Sequence, residues 1–196
     1  MRTPALIALA LLAASGAAAA DGSLRGLVGT RQLSGNTWEA FDADRQTAFG
    51  LQGDLAIGQG PLHLSATLFA SGRSEDDDRI INGVPVDESS VSVVDLAVGL
   101  KLMPRAGQLR PYAGLGLSST GVAAEYEDEF GDDEDDSDQT FGYYLNAGLD
   151  IAITRRFHAG LDLRWLRGFD EVELFGLVDE VDSVGVSGTF GWVWGK

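Results

Sequence analysis

The chain has 196 residues, no cysteine, and 30 acidic against 14 basic residues, a formal charge of −16. Without cysteine, disulfides and thiolate metal sites are excluded. A net negative charge of this size repels phosphate backbones, so no nucleic-acid partner is expected.

Met1-Arg2 is a short basic start, Leu6 to Leu12 an apolar run, and Ala17 to Ala20 a small-residue stretch before Asp21. This order is that of a secretory signal peptide over residues 1–20. The apolar run is too short to cross a bilayer as a helix. Removal of residues 1–20 leaves 176 residues, one domain over 21–196, with 13 basic and 30 acidic residues and a charge of −17. A membrane crossing within that domain requires β-strands, because no later apolar run is long enough for a helix.

Eight strands follow, most with two-residue alternation. The first, near Leu24–Leu33, has no clear parity. In Gln46–Ile57, Phe49, Leu51, Leu55 and Ile57 oppose Gln52 and Asp54. In Leu62–Ser71, Leu62, Leu64, Ala66 and Leu68 oppose His63, Ser65 and Thr67. In Ser90–Leu102, Val94, Leu96, Val98, Leu100 and Leu102 oppose Asp95 and Lys101. In Leu109–Ser119, Leu109, Ala113, Leu115 and Leu117 oppose Arg110, Tyr112 and Ser118. Thr140–Ile153 sets Phe141, Tyr143, Leu145, Leu149 and Ile151 against Tyr144, Asn146 and Asp150. After Thr154-Arg155-Arg156, Phe157–Arg167 sets Phe157, Leu161, Leu163 and Trp165 against His158, Asp162 and Arg164. Ser183–Trp194 sets Val184, Val186, Phe190, Trp192 and Trp194 against Ser187 and Thr189.

Short connections near 58–61, 103–108 and 154–156 alternate with long acidic ones, and 25 of the 30 acids fall in segments 34–45, 73–88, 121–138 and 168–182. The rhythm predicts an all-β, eight-stranded antiparallel up-and-down barrel with turns on one side and loops on the other. Three features favour a transmembrane barrel over a soluble barrel that binds an apolar ligand inside. The strands are longer than the five or six residues usual in soluble sheets. Aromatics gather near strand ends (Tyr143, Phe157, Trp165, Trp192, Trp194). The polar faces are rich in small residues, as a narrow interior needs.

With the polar faces inward, the lumen is predicted to hold Asp54, Asp95, Asp150 and Asp162 with Lys101, Arg110 and Arg164. Buried charges must be paired, so these seven are read as an internal ion-pair network that plugs the barrel. The alternative is a narrow channel for small or hydrophobic solutes. His63 and Ser65 share one strand face, where a base-activated hydroxyl is conceivable. They lie side by side along a strand beside a short turn, which does not set a base against a hydroxyl, and no catalysis is expected. The other histidine, His158, is read as a lumen or rim residue.

Glu125 to Asp138 holds ten carboxylates and no basic residue. Such density is expected to stay solvated or mobile. The run Asp132-Asp133-Glu134-Asp135-Asp136 offers oxygen ligands but lacks an EF-hand's spacing and glycine. No cofactor is expected beyond weakly held Ca²⁺ or Mg²⁺, and the sequence leaves any specific metal unknown. The turn side is basic, with Arg105, Arg155, Arg156 and Lys196.

Arg110-Pro111-Tyr112-Ala113-Gly114-Leu115-Gly116, Asn146 to Asp150 and Phe157 to Trp165 resemble strands of the small eight-stranded outer-membrane β-barrel family, with its porin-like and opacity-protein-like members. The resemblance covers residues 21–196. It implies a Gram-negative outer-membrane location with loops outside and termini periplasmic. It implies contact with outer-membrane lipids and lipopolysaccharide, insertion by the barrel-assembly machinery, and a monomer. Members of that family include adhesins, serum-resistance proteins, small-solute channels and structural anchors; the role expected of this chain is structural or surface-interacting. That machinery reads an aromatic-ended last strand; Phe190, Trp192 and Trp194 fit, and Gly195-Lys196 departs from the pattern.

Overall fold

The structure is a computed structural model that describes residues 21–35, 38, 44–75, 79–81, 84–128, 133–174 and 177–195. The signal peptide expected over residues 1–20 lies outside these. The described residues form eleven strands: β1 Gly22–Ser34, β2 Arg45–Ala56, β3 Leu62–Glu75, β4 Arg79–Ile81, β5 Val84–Leu102, β6 Leu109–Asp128, β7 Asp133–Ala152, β8 Phe157–Gly168, β9 Val172–Leu174, β10 Leu177–Asp179 and β11 Asp182–Trp194. Eight of them close a ring in the order β1-β2-β3-β5-β6-β7-β8-β11, with β11 returning to β1. Every neighbouring pair is antiparallel. Closure removes the unpaired sheet edges that an open sheet would expose. The even strand count puts both ends of the chain on the turn side, where the Ala56 N–H donates to the Asp21 carbonyl at 2.8 Å.

Period two assigns the faces. Leu68, Leu115, Leu117, Phe141, Leu161, Leu163 and Val186 all stand outward and exposed. Gln52, Asp54, Asp95, Lys101 and Asp162 point inward and are buried. A soluble barrel with an apolar cavity requires the opposite arrangement. The exposed apolar belt needs hydrocarbon around it, and the closed ladder satisfies the backbone groups that hydrocarbon cannot.

The turn side is tight. Between β2 and β3, Gly58 takes φ 70°, and between β5 and β6, Gly107 takes φ 67°, values that favour glycine. Between β7 and β8 the Thr154 hydroxyl accepts the Phe157 N–H at 2.9 Å, fastening the hairpin.

The opposite side departs from expectation. β6 and β7 run 20 residues each. At about 3.3 Å per residue that is far more than a tilted membrane strand needs. Glu125–Asp128 and Asp133–Asp138 are therefore strand, paired from Val122↔Asp138 to Glu127↔Asp133, where solvated loop was expected. Glu125 sits directly opposite Asp135, a repulsive placement. The inward face offsets it: Val91, Val93, Val122 and Ala124 pack with Leu33, Trp38, Val172, Leu174 and Val181 in a buried cluster. Above the membrane the apolar parity of β5 and β6 thus inverts, with Val91, Val93, Val122 and Ala124 inward, while Asp136 and Asp138 of β7 share that inward face in register with Ala124 and Val122.

Candidate functional site

The interior of the barrel is the candidate site, built layer by layer from inward positions. Nearest the turns, β1 contributes Ser23 and Arg25, β2 Gln52 and Asp54, and β5 Lys101. Asp54 is fully buried. It meets Lys101 Nζ at 2.9 Å and Arg25 Nη2 at 3.3 Å, and accepts the Ser23 hydroxyl at 3.0 Å. Arg25 also reaches Asp150 at 3.1 Å, whose other oxygen accepts the Thr189 hydroxyl at 3.1 Å. Lys101 donates to Gln52 Oε1 at 2.7 Å.

Both cations lie over the Tyr112 ring, the Arg25 guanidinium carbon 4.9 Å and Lys101 Nζ 4.7 Å from its centroid. Its electron-rich face is a partner that leaves no charge to neutralise. The Tyr112 hydroxyl donates to Asp162 at 2.9 Å, as does the Asn146 amide at 2.9 Å. Arg164 stands 3.7 Å from Asp162, donates to Thr67 at 3.3 Å, and lies over the Phe69 and Tyr144 rings. Glycines make room for the rings: a Cβ at Gly148 would collide with Tyr112, and one at Gly116 with Tyr144.

A second charged layer lies toward the loops. Arg31 forms a two-pronged contact with Asp95, at 2.7 and 3.3 Å, and donates from Nε to the Ser183 hydroxyl at 3.0 Å. Thr120 donates to the same carboxylate at 2.7 Å. The cavity beside this pair, lined by Phe69, Arg164 and Leu166 among others, measures about 10 Å³. That is room for roughly one water at most. Above it sits the apolar cluster, closed by Trp38, whose indole N–H donates to the Glu180 carbonyl at 3.1 Å.

Of the seven lumen residues named from sequence, Asp54, Asp95, Lys101, Asp150, Asp162 and Arg164 are buried together. Arg110 is not: it is half-exposed at the turn-side mouth, and among the described residues no ion pair reaches it. It faces Asp150 in register, but Arg25 takes that carboxylate. Arg25 and Arg31 were missed because β1 alternates weakly, with glycine at 22, 26 and 29. A signal was available: their separation of six is even, so both must share one face. Tyr112, Asn146, Thr120 and Ser183 were likewise absent from the predicted network.

The His63 ring lies 3.1 Å from the Pro61 carbonyl, and Ser65 is buried deeper in the wall. His158 is buried on the inward face near the mouth. Of the acidic run, Asp132 lies outside the described residues, and Asp133–Asp136 begin β7. Asp135 is exposed, and Asp136 accepts the Ser137 N–H at 2.8 Å. Among the described residues no group of three or more potential ligands is placed to hold a metal ion. Asp138 has a structural task. It accepts the Glu173 N–H at 2.9 Å and the Gln139 N–H at 2.7 Å, which holds its carboxyl below the usual carboxylate range and ties β9 to the hairpin.

At the ends of the belt, Tyr143 packs edge-on against Trp165 at 5.6 Å, and Arg156 lies 5.7 Å from the Trp192 ring. These are the aromatic and cationic anchors of a membrane interface.

The structure is similar to solved outer-membrane barrels. Neisserial surface protein A superposes with a TM-score of 0.61 at 12% identity, covering 87% of this chain and 96% of that one. Ail, the attachment invasion locus protein of Yersinia pestis, solved with the heparin analogue sucrose octasulfate, gives 0.59 at 12% identity, covering 90% and 99%. A major outer membrane protein of Thermus thermophilus gives 0.55 at 15% identity, covering 90% and 100%. These identities speak to fold alone. No curated protein matches the sequence. The family model described as outer membrane protein beta-barrel domain matches residues 5–193. The chain belongs to that family, an outer-membrane barrel with extracellular loops and periplasmic termini.

Proposed function

We propose that this protein is a plugged, monomeric barrel whose role is to anchor and present an acidic extracellular face, rather than to conduct solute. The filled interior carries the reading. Two ion-paired layers, Arg25–Asp54–Lys101 and Arg31–Asp95, sit below an apolar cluster capped by Trp38. An eight-stranded barrel leaves little more than room for side chains. A solute would have to break buried ion pairs to pass, and those pairs are costly to break.

The presented face is chemically defined. Glu125, Asp135 and Glu173 are exposed on extracellular strands. Such a surface attracts cations and basic partners and repels polyanions. The heparin analogue named with the Yersinia protein is therefore not the ligand class expected here.

Planar-bilayer recording tests the proposal. The purified protein is expected to insert without unitary current steps in molar KCl. A reproducible open-pore current would replace this reading with the narrow-channel one.

A further inference from the structure

The periplasmic mouth of the barrel holds cations that the lumen network does not use. Arg110 shares the inward face of β6 with Tyr112, half-exposed and without an ion pair among the described residues. Arg105, on the turn between β5 and β6, is exposed, and the two guanidinium groups repel each other across the mouth. His158 stands inward on β8, 3% exposed, and neither of its ring nitrogens has a hydrogen-bond partner. It lies within electrostatic reach of Arg110. A buried imidazole without a partner is costly, and a ligand or water in the mouth relieves that cost.

Two spaces meet at this place. The outer one is a vestibule of about 360 Å³ between two turns, with Gly58, Gly60 and Pro61 on one side and Met103, Pro104 and Arg105 on the other. At Gly58 and Gly60 there is open space where side chains would stand. The inner one is a throat of about 20 Å³, lined by Ser23, Met103, Arg105 and Arg110 among others. Asp21, His63, Met103 and Arg105 line both spaces. His63 Nδ1 donates to the Pro61 carbonyl at 3.1 Å, which holds the ring at the junction. Arg25 Nη2 lies 3.3 Å from the Met103 sulfur, so the throat ends on the first ion-paired layer.

We propose that this mouth binds the carboxylate end of a peptide that reaches it from the periplasm. The carboxylate enters the throat between Arg105 and Arg110, and the residues before it lie in the vestibule against Pro61, Met103 and Pro104. A guanidinium fork matches a carboxylate in geometry as well as charge. The throat has room for little more than one water, which suits a flat two-oxygen group and not a tetrahedral phosphate. The vestibule is at the lower end of the size range of ligand pockets, so the ligand has a body behind its charge. Arg110, His63 and His158 all stand on inward faces, out of reach of a lipid headgroup in the surrounding leaflet. The proposal rests on the placement of the turns on the periplasmic side.

NMR of the refolded barrel in nanodiscs tests it, because the chain has two histidines and both flank the mouth. The probes are acetyl-trialanine with a free carboxylate, its carboxamide, and acetate. The free tripeptide is expected to shift the His63 and His158 ring signals saturably. A charge-assisted hydrogen bond of this kind is worth about tenfold or more in affinity. R110Q should therefore weaken binding by about tenfold or more, as should the carboxamide. Arg156→Gln, whose guanidinium lies over the Trp192 ring, should have no effect. Equal binding by R110Q and wild type, or equal binding of carboxylate and carboxamide, would overturn the site. Acetate binding as tightly as the tripeptide would overturn the assignment to a chain end. Heat-modifiable migration is measured on the same samples; its absence in the wild type would count against the membrane-barrel reading instead. Arg105 is on an exposed turn, so R105Q carries the test if R110Q does not fold.

Discussion

Replacing Asp54 with Ala is expected to destabilise the barrel by about 3–5 kcal/mol, the usual cost of removing one partner from a buried ion pair. The size follows from what remains. Arg25 would keep Asp150, and Lys101 would keep Gln52 and the Tyr112 face, but the buried Lys101 ammonium would lose the carboxylate that contacts it. Both side chains are almost wholly buried, with relative exposures of 4% for Arg25 and 1% for Lys101, so water cannot replace the lost charge. Asp54→Asn keeps an acceptor for the Ser23 hydroxyl and is expected to cost less. Reversible urea unfolding in lipid vesicles gives both numbers. A loss below about 0.5 kcal/mol for the alanine variant is what a surface site shows, and would mean that the lumen is wet.

Trp38→Ala is expected to cost about 3–5 kcal/mol, within the range for emptying a large buried aromatic site. Trp38 is fully buried and the largest side chain of the extracellular cluster, and its indole holds the Glu180 carbonyl just ahead of Val181 and β11. The loss should concentrate in the cap, since cooperative units open separately and the transmembrane ladder does not depend on Trp38. Limited proteolysis from outside intact vesicles should cut the extracellular strands of W38A much faster than those of the wild type. The heat-modifiable shift of the barrel should persist. Unchanged protease resistance would show that the cluster is not what orders this end.

The transmembrane half of the fold was legible because period two is strict where one face meets lipid. Phe157 to Arg167 alternates so regularly that its inward set, His158, Asp162 and Arg164, can be read from parity alone. β1 resisted because its glycines stand on both faces and blur the contrast. Its two arginines supply the cations that the lumen aspartates lacked. The extracellular half departs from expectation for a physical reason: carboxylate density predicts solvated or mobile chain, whereas the buried apolar cluster holds it as strand. There the same strands continue, but with water outside, so the apolar parity of β5 and β6 flips. Ser90-Val91-Ser92-Val93 shows the flip in four residues, with valines inward where the aspartate and lysine of the same strand face the membrane lumen. A lone tryptophan in the acidic segment 34–45 was the other available signal.

The central claim is that the lumen is dry and its charges paired, and a double-mutant cycle on Arg31 and Asp95 tests it most directly. The singles Arg31→Met and Asp95→Leu should each destabilise by about 3–5 kcal/mol, because each strands a buried charge. The double variant should recover most of the loss, with a coupling of about 2 kcal/mol or more, as expected for contacting buried residues. Two mild, additive singles with coupling near zero would contradict the account, since charges behave that way when water fills the barrel between them.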